Sequence, residues 1–303
     1  MHAEHRERNG GASLAICDYE GSDYRTRFWG RGREYEDLAE RIALRKLLPP
    51  SGERLVEIGA GFGRLADLYE SFRQVMLLDP ARSMLREAQE RLGRAPRFLY
   101  VRGSVYNPPL ANGSCDTVVM VRVMHHLQDV PQGLGEVVRI LAGGGSLVCE
   151  YANKRNLKAI GRYLLRRQSW NPFAPQPYEF APLNFDFHPA WIAARLREAG
   201  LTCERELAVS IFRLPLIKRL LPPGALAALD GALQSPGGRC KLSPSVFLRA
   251  RAAKKPSDPR PKNPFRCPAC HSTELMEEAS ALDCQACGRR WPIDDGIYDF
   301  GDQ

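Results

Sequence analysis

Short apolar runs alternate with amphipathic stretches through the first two-thirds of the chain. Arg54 to Ile58, Val75 to Asp79, Phe98 to Arg102, Thr117 to Arg122 and Ser146 to Tyr151 each read as a buried strand, because near-continuous apolar runs of this length fit strands covered on both faces. Ahead of them, Tyr35 to Leu44 carries apolar residues at helical spacing and is closed by Pro49-Pro50, which cannot continue a helix. Behind them, Pro189 opens a helix over Ala190 to Ala199, and 203–212 and 245–251 read as two further strands. Strands alternating with helices imply parallel pairing through right-handed crossovers, with ligands at the carboxyl ends of the strands. The expected fold class is α/β.

Several segments break this rhythm. Residues 1–27 read as a flexible arm running into Phe28-Trp29, and residues 154–187 and 213–243 are apolar-basic insertions expected to act as lids. Lys154 to Arg167 sets Leu157, Ile160 and Leu164 among basic residues, so as a helix it is amphipathic and cationic. Its plainest reading is a solvated lid with the apolar face over a pocket; anionic lipid, RNA or an acidic small molecule are its other partners. From 252 to 264 the composition turns to Lys, Pro, Ser and Asp, a polar linker. It separates a large domain, 28–251, from a small one, 265–303.

The chemistry concentrates in Leu55-Val56-Glu57-Ile58-Gly59-Ala60-Gly61-Phe62-Gly63-Arg64, where an apolar strand meets an acid and three alternating glycines, ahead of an expected helix. Glycine at such a turn lets a ligand lie on the backbone. The dinucleotide fingerprint G-x-G-x-x-G needs glycine at 64, where Arg64 stands. Glu57 would also repel a pyrophosphate seated on the helix N-terminus. S-adenosylmethionine has no phosphate, and its sulfonium and ammonium tolerate nearby acid. Asp79, at the tip of the next strand, stands where both ribose hydroxyls of an adenosine can be hydrogen-bonded.

Further blocks follow in order: Val101-Arg102-Gly103-Ser104-Val105 with Pro108-Pro109-Leu110, Cys115-Asp116-Thr117-Val118-Val119 with Arg122-Val123-Met124-His125-His126-Leu127, and Leu141-Ala142-Gly143-Gly144-Gly145-Ser146-Leu147. With them, roughly residues 28–251 resemble the class I S-adenosylmethionine-dependent methyltransferases, in particular the branch that includes ubiquinone and menaquinone biosynthesis methyltransferases. The resemblance implies a Rossmann-like, seven-stranded, mostly parallel sheet with helices on both faces. It implies cofactor contacts from Glu57, Gly59, Gly61, Gly63, Asp79, Met84, Ser104, Val105 and Arg122. Ser104 stands where the family usually carries Asp, so one contact to the adenine amino group loses its charge.

Charge and cysteine usage divide the chain at the same linker. The net charge is +8, yet residues 267–303 hold eight acids and two basic residues, −6, leaving +14 on the remainder. Of nine cysteines, Cys17, Cys115, Cys149, Cys203 and Cys240 are scattered, while Cys267, Cys270, Cys284 and Cys287 form two C-x-x-C pairs with thirteen residues between them. Four thiolates at this spacing can close a tetrahedral Zn2+ site. A domain of under forty residues buries too little apolar surface to fold alone, so the metal would supply folding free energy. Scattered cysteines with one metal cluster fit a reducing compartment. The tail Trp291-Pro292-Ile293-Asp294-Asp295-Gly296-Ile297-Tyr298-Asp299-Phe300 resembles the small zinc-binding activator subunit of tRNA, rRNA and release-factor methyltransferases, with Tyr298 where proline is usual. It implies a small C-terminal zinc-ribbon β domain. The opposite charges favour docking on the large domain, in cis or in a homo-oligomer, over a grip on nucleic acid.

Met1 to Arg8 lacks the apolar core of a secretory signal and no apolar run is long enough to cross a bilayer, so no transmembrane segment and a cytoplasmic location are expected. Methyl transfer is an in-line displacement that needs proximity, alignment and a dry site. Where a base is required, His125 and His126 stand just beyond the fourth strand; shaping the pocket or capping the next helix is their alternative role. Glu150, Tyr151 and His188 are secondary candidates. The insertions favour a small or lipid-like acceptor. The cysteine-rich tail and basic body favour RNA or a translation protein, and a non-catalytic scaffold that binds S-adenosylmethionine is the third reading.

Overall fold

The structure, a computed structural model, describes residues 14–17, 19–21, 29, 32–253 and 260–301. Helix α1 (Glu34–Leu47) leads into β1 (Gly52–Ile58), β2 (Phe72–Asp79), α2 (Arg82–Leu92), β3 (Phe98–Arg102), β4 (Cys115–Met120), α3 (Val130–Ile140) and β5 (Leu141–Ala152). There follow α4 (Leu157–Leu164), β6 (Tyr178–Ala181), β7 (Asn184–Asp186), α5 (Pro189–Glu198), β8 (Leu201–Val209), α6 (Pro215–Leu220), α7 (Pro223–Cys240) and β9 (Ser245–Ala252). The tail adds β10 (Leu275–Glu277), β11 (Ala281–Cys284), β12 (Arg290–Asp294) and β13 (Ile297–Asp299).

Seven strands stand in the order β3-β2-β1-β4-β5-β9-β8, and only β9 among them runs antiparallel. Period-two alternation sends neighbouring residues to opposite faces. Leu55, Val75 and Leu77 pack with Leu44 of α1, Leu85 of α2 and Leu226 of α7. Val56, Met76 and Leu78 pack with Val137 of α3 and Ile192 of α5. Helices therefore cover both faces, and the two apolar layers leave the strand ends as the place for chemistry.

The tail is not a separate layer. Strand β13 pairs in parallel with β3 through Ile297 to Tyr100, Tyr298 to Val101 and Asp299 to Arg102, so one eleven-stranded sheet runs through the described residues. The charge asymmetry is used at this seam: Arg102 Nη1 meets Asp299 at 3.2 Å, and Arg82 and Arg94 pair with Asp294 and Asp295. Phe265, Trp291, Tyr298 and Phe300 form an aromatic cluster, with Phe265 4.7 Å from Tyr298 between ring centroids. The expected linker is shorter than its composition suggests. Strand β9 runs to Ala252, residues 254–259 lie outside the described residues, and Ala111 N–H donates to Pro264 O at 2.7 Å.

Three further expectations change. No α-helix directly follows Gly63; a 3-10 turn, Ala66–Tyr69, fills the crossover to β2. The second insertion puts one face of α7 into the core: Leu226, Ala227, Asp230 and Gln234 are buried, and Tyr35 Oη donates to Asp230 Oδ2 at 2.6 Å. Its first part, through α6, has no buried residue, and the outer face of α7 exposes Leu229 and Leu233. In the first insertion the apolar stripe of α4 faces outward, not over a pocket, with Leu157, Leu164 and Leu165 between 65% and 70% exposed. No helix among the described residues is long and apolar enough to cross a membrane.

Candidate active site

A pocket opens at the carboxyl ends of β1, β2 and β4, where the chain turns from building one side of the sheet to building the other; open α/β sheets bind ligands at such switch points. The turn after β1 depends on glycine. Gly59 has φ +70° and a Cβ there would sit 2.3 Å from Val123 Cγ2, so no side chain fits where this turn nests against the one after β4. Gly61, φ +53°, has nothing within 4 Å of that direction and lines the pocket. Gly63 serves differently: it packs against α2, where a Cβ would lie 2.9 Å from Leu92 Cδ1, and it does not line the pocket.

Asp79 holds this turn in place while lining the pocket. Its Oδ2 accepts from Gly61 N–H at 2.8 Å and its Oδ1 from Ala81 N–H at 2.9 Å. A carboxylate has further lone pairs for a ligand's hydroxyls. Glu57 also lines the pocket, is 3% exposed, and its Oε2 has no hydrogen-bond partner. Burial pushes its carboxyl up to about 8, against the opposing pulls of Arg64 and of the buried Tyr69 hydroxyl beside it. A buried orphan acceptor beside a glycine turn suits a cationic ligand, and the donor set fits S-adenosylmethionine.

Met84, Val105 and Arg122 line the pocket as well. Ser104 does not, because its Oγ is used locally, accepting from Tyr106 N–H at 3.1 Å. Arg122 holds φ +60°, an uncommon conformation for a residue with a side chain. Its N–H donates to Glu150 Oε2 at 3.2 Å and its guanidinium pairs with Glu40. Burial would raise the Glu40 carboxyl, but Arg122 and Arg64 override it and hold the group below its ordinary range. Arg64, the residue that replaces a dinucleotide-type glycine, meets Glu40 at 2.7 Å and lies 3.8 Å from the Trp29 ring centroid.

The arm expected to be flexible contributes to the site. Ala15, Ile16, Cys17, Tyr19 and Trp29 line the pocket; Ala15 N–H donates to Gln128 Oε1 at 3.2 Å and Gly21 N–H to Ser83 Oγ at 2.9 Å. The signal for this was the set of aromatic and aliphatic residues ahead of α1, Leu14 to Ile16, Tyr19 and Trp29. Tyr106 was likewise missed.

Of the two histidines, His126 lines the pocket and His125 stacks behind it, ring centroids 4.0 Å apart. His126 Nδ1 is 2.9 Å from Leu183 O. A carbonyl only accepts, so Nδ1 carries the proton and Nε2 is left to accept from Tyr19 Oη at 3.2 Å. Burial lowers both imidazoles below their ordinary value, so both are neutral at pH 7. His188 caps α5 through Nδ1, and Glu150 and Tyr151 are buried under the sheet end, where burial raises both.

Outside this pocket, the sulfurs of Cys267, Cys270, Cys284 and Cys287 lie within 4.8 Å of one another, with 3.8 Å between Cys267 and Cys287 and 3.5 Å between Cys270 and Cys284. Tetrahedral zinc with sulfur bonds of about 2.3 Å needs sulfurs roughly 3.8 Å apart. The four thiols fit that ion.

Residues 56–149 match the Methyltransferase domain family. The phthiotriol/phenolphthiotriol dimycocerosates methyltransferase of Mycobacterium leprae is 32% identical over 43% of this chain and 48% of its own length. The demethylmenaquinone methyltransferase of Clavibacter sepedonicus is 27% identical over 63% of this chain and 83% of its own. The chain spans about half the length of the curated relatives it matches, from 29% to 65% over three of them. In fold it is similar to a chain from the complex between the Haloferax volcanii Trm112 methyltransferase activator and a candidate methyltransferase (TM-score 0.53, 16% identity, 76% of this chain, 96% of that one). It is also similar to an S-adenosylmethionine-dependent methyltransferase of Mesorhizobium loti (TM-score 0.52, 22% identity, 70% and 97% covered). The chain thus carries a methyltransferase domain on a methyltransferase-like fold.

Proposed function

We propose that this chain is an S-adenosylmethionine-dependent methyltransferase acting on a small, lipid-like acceptor. The observation that carries the donor assignment is one pocket that joins the glycine turn, Asp79 and the unpartnered Oε2 of Glu57 inside a methyltransferase domain. Bound S-adenosylmethionine supplies an electrophilic methyl group on sulfur. Glu57 and Asp79 would hold the donor, and the residues around them orient the acceptor and exclude water. Ile16, Trp29 and Leu127 on the walls suit an apolar acceptor, in keeping with relatives named for lipid and quinone substrates.

His126 Nε2 is the atom placed to take a proton from a hydroxyl or an acidic carbon, and Tyr19 Oη now occupies it. In this reading the arm withdraws Tyr19 when the acceptor binds, or the phenol relays the proton. Cys267, Cys270, Cys284 and Cys287 would hold one Zn2+, and the resulting zinc ribbon braces β3 through β13 as a built-in counterpart of an activator subunit.

Incubating purified protein with methyl-labelled donor and cell extract tests the acceptor class. Label should enter the organic-extractable fraction. Label that stays aqueous and is released by nuclease or protease would replace this reading with one of RNA or a translation protein, for which the basic body is the motive.

A further inference from the structure

Two segments outside the pocket anchor one residue each in or against the core, Ala159 and Ile217, and leave the rest of their apolar side chains exposed. The first is α4 and its C-terminal turn, where Leu157, Leu164 and Leu165 are exposed. Residues 157 and 164 are seven apart, so they share one helix face. The second is α6 with its flanks, where Leu214, Leu216, Leu220 and Leu221 are exposed, Leu216 by 69% and Leu220 by 72%. Seven exposed leucines on two short elements are a contiguous-patch signal rather than the scattered exposure of an ordinary surface.

Sheet register brings the two segments to one edge. Ala152, the last residue of β5, is opposite Ser245, and Ser245 is opposite Val209, the last residue of β8. Strands β5 and β8 therefore end level with each other, two strand spacings or about 10 Å apart. Helix α4 leaves the first end and α6 the second, on the same edge as the pocket mouth. The β6–β7 hairpin joins them there, resting its turn on His126 and exposing Phe180.

Charge selects the partner. Residues 151–178 and 207–229 contain no Asp or Glu, while 154–167 alone hold six basic residues; the hairpin adds two acids, the exposed Glu179 and the half-buried Asp186, which leave the edge net positive. Lys158, Arg162, Arg166, Arg167 and Arg219 are exposed and form no ion pair among the described residues. Leucines at the tip with unneutralised Arg and Lys beside them match an interface of anionic headgroups over acyl chains, where each basic residue and each buried CH2 adds to binding. RNA would engage the arginines but gives the leucines no partner, and a second copy would set this positive edge against itself.

We propose that the edge formed by α4, α6 and the β6–β7 hairpin docks on an anionic membrane surface, facing the pocket mouth towards the lipid. The surface argument stands independently of the acceptor assigned above.

The test is sedimentation of the full-length protein with phosphatidylcholine vesicles containing or lacking phosphatidylglycerol. The protein should pellet with the anionic vesicles, weaken with added salt, and stay in solution with phosphatidylcholine alone. A variant combining Leu164→Glu, Leu165→Glu, Leu216→Glu and Leu220→Glu should lose at least about tenfold in partitioning. So should one combining Arg162→Glu, Arg166→Glu, Arg167→Glu and Arg219→Glu. Both should keep the wild-type melting temperature and donor affinity; the arginine set is exposed and outside the core, and serves if the leucine set does not fold. Failure to bind anionic vesicles overturns the proposal. So does binding that survives both sets, or a dimer that the leucine set dissociates without any vesicle binding, or binding to RNA in its place. Vesicle binding without label in the organic fraction would sink the acceptor reading and leave the docking surface standing.

Discussion

Replacing Glu57 with Gln removes one negative charge from the pocket and little volume. Burial holds the Glu57 carboxyl at about 8 against an ordinary 4.5. At pH 7 the empty site is then about ten parts protonated to one ionised. A cationic donor lying over Oε2 favours the ionised form, so binding should expel about 0.9 proton per chain at pH 7, and affinity should rise about tenfold from pH 6 to pH 7. The window stays below the titration of the donor's own amino group, near 8. Glu57→Gln should abolish both the proton release and that pH dependence. It should also weaken binding at pH 7 by roughly 10- to 100-fold, the range for a lost charge-assisted hydrogen bond of about 1.5–3 kcal/mol. Calorimetry in two buffers of different ionisation enthalpy reads all three. The same group acts on stability with a definite sign. Its folded-state pKa is raised, so the folded protein binds the proton more tightly, and stability is lost as pH climbs from 4.5 to 8. The loss reaches at most about 5 kcal/mol, 3.5 units at 1.36 kcal/mol each. The Gln variant should escape it and melt higher than wild type at pH 8.5 without ligand. Proton release that persists in Glu57→Gln would refute the assignment of the donor's cationic end to this carboxylate.

Gly59→Ala places a Cβ 2.3 Å from Val123 at positive φ, so chemical denaturation should show a loss of about 1–3 kcal/mol along with weakened donor binding; unchanged values of both would mean that the turn is not the site's frame. Phe265→Ala empties a buried position between Tyr298 and Phe300 and should cost about 3–5 kcal/mol of overall stability, seen as a fall in melting temperature; a loss confined to residues after 260 would show that the tail does not brace the sheet. Cys284→Ser should lower bound zinc from one per chain to none by metal analysis and raise hydrogen exchange in β13 and β3 together. Tyr19→Phe frees His126 Nε2; if that atom is the base, kcat rises or shifts its pH profile while Glu57-dependent donor affinity stays fixed.

The strand-helix alternation was legible because buried parallel strands leave continuous apolar runs, and the glycine turn with Glu57 and Asp79 was legible because backbone contact and charge constrain residue type locally. The same held for the four cysteines, whose ligand spacing is a chain-local property. Three residues singled out for the donor or the base do not line the pocket: Gly63 packs on α2, Ser104 closes its own turn, and His125 stands behind His126.

What the sequence by itself determined is therefore the α/β frame, the glycine-turn and strand-tip residues that meet in one pocket, and the cysteine cluster, each fixed by interactions between near neighbours along the chain. Only the tertiary structure decided that Ala15, Ile16, Cys17, Tyr19 and Trp29 complete the pocket and that the tail continues the sheet at β3. It also decided that the exposed segments 157–165 and 214–221, more than forty residues apart, share one edge. Those outcomes depend on strand order and register, which set distant residues side by side and leave no periodic trace in the chain.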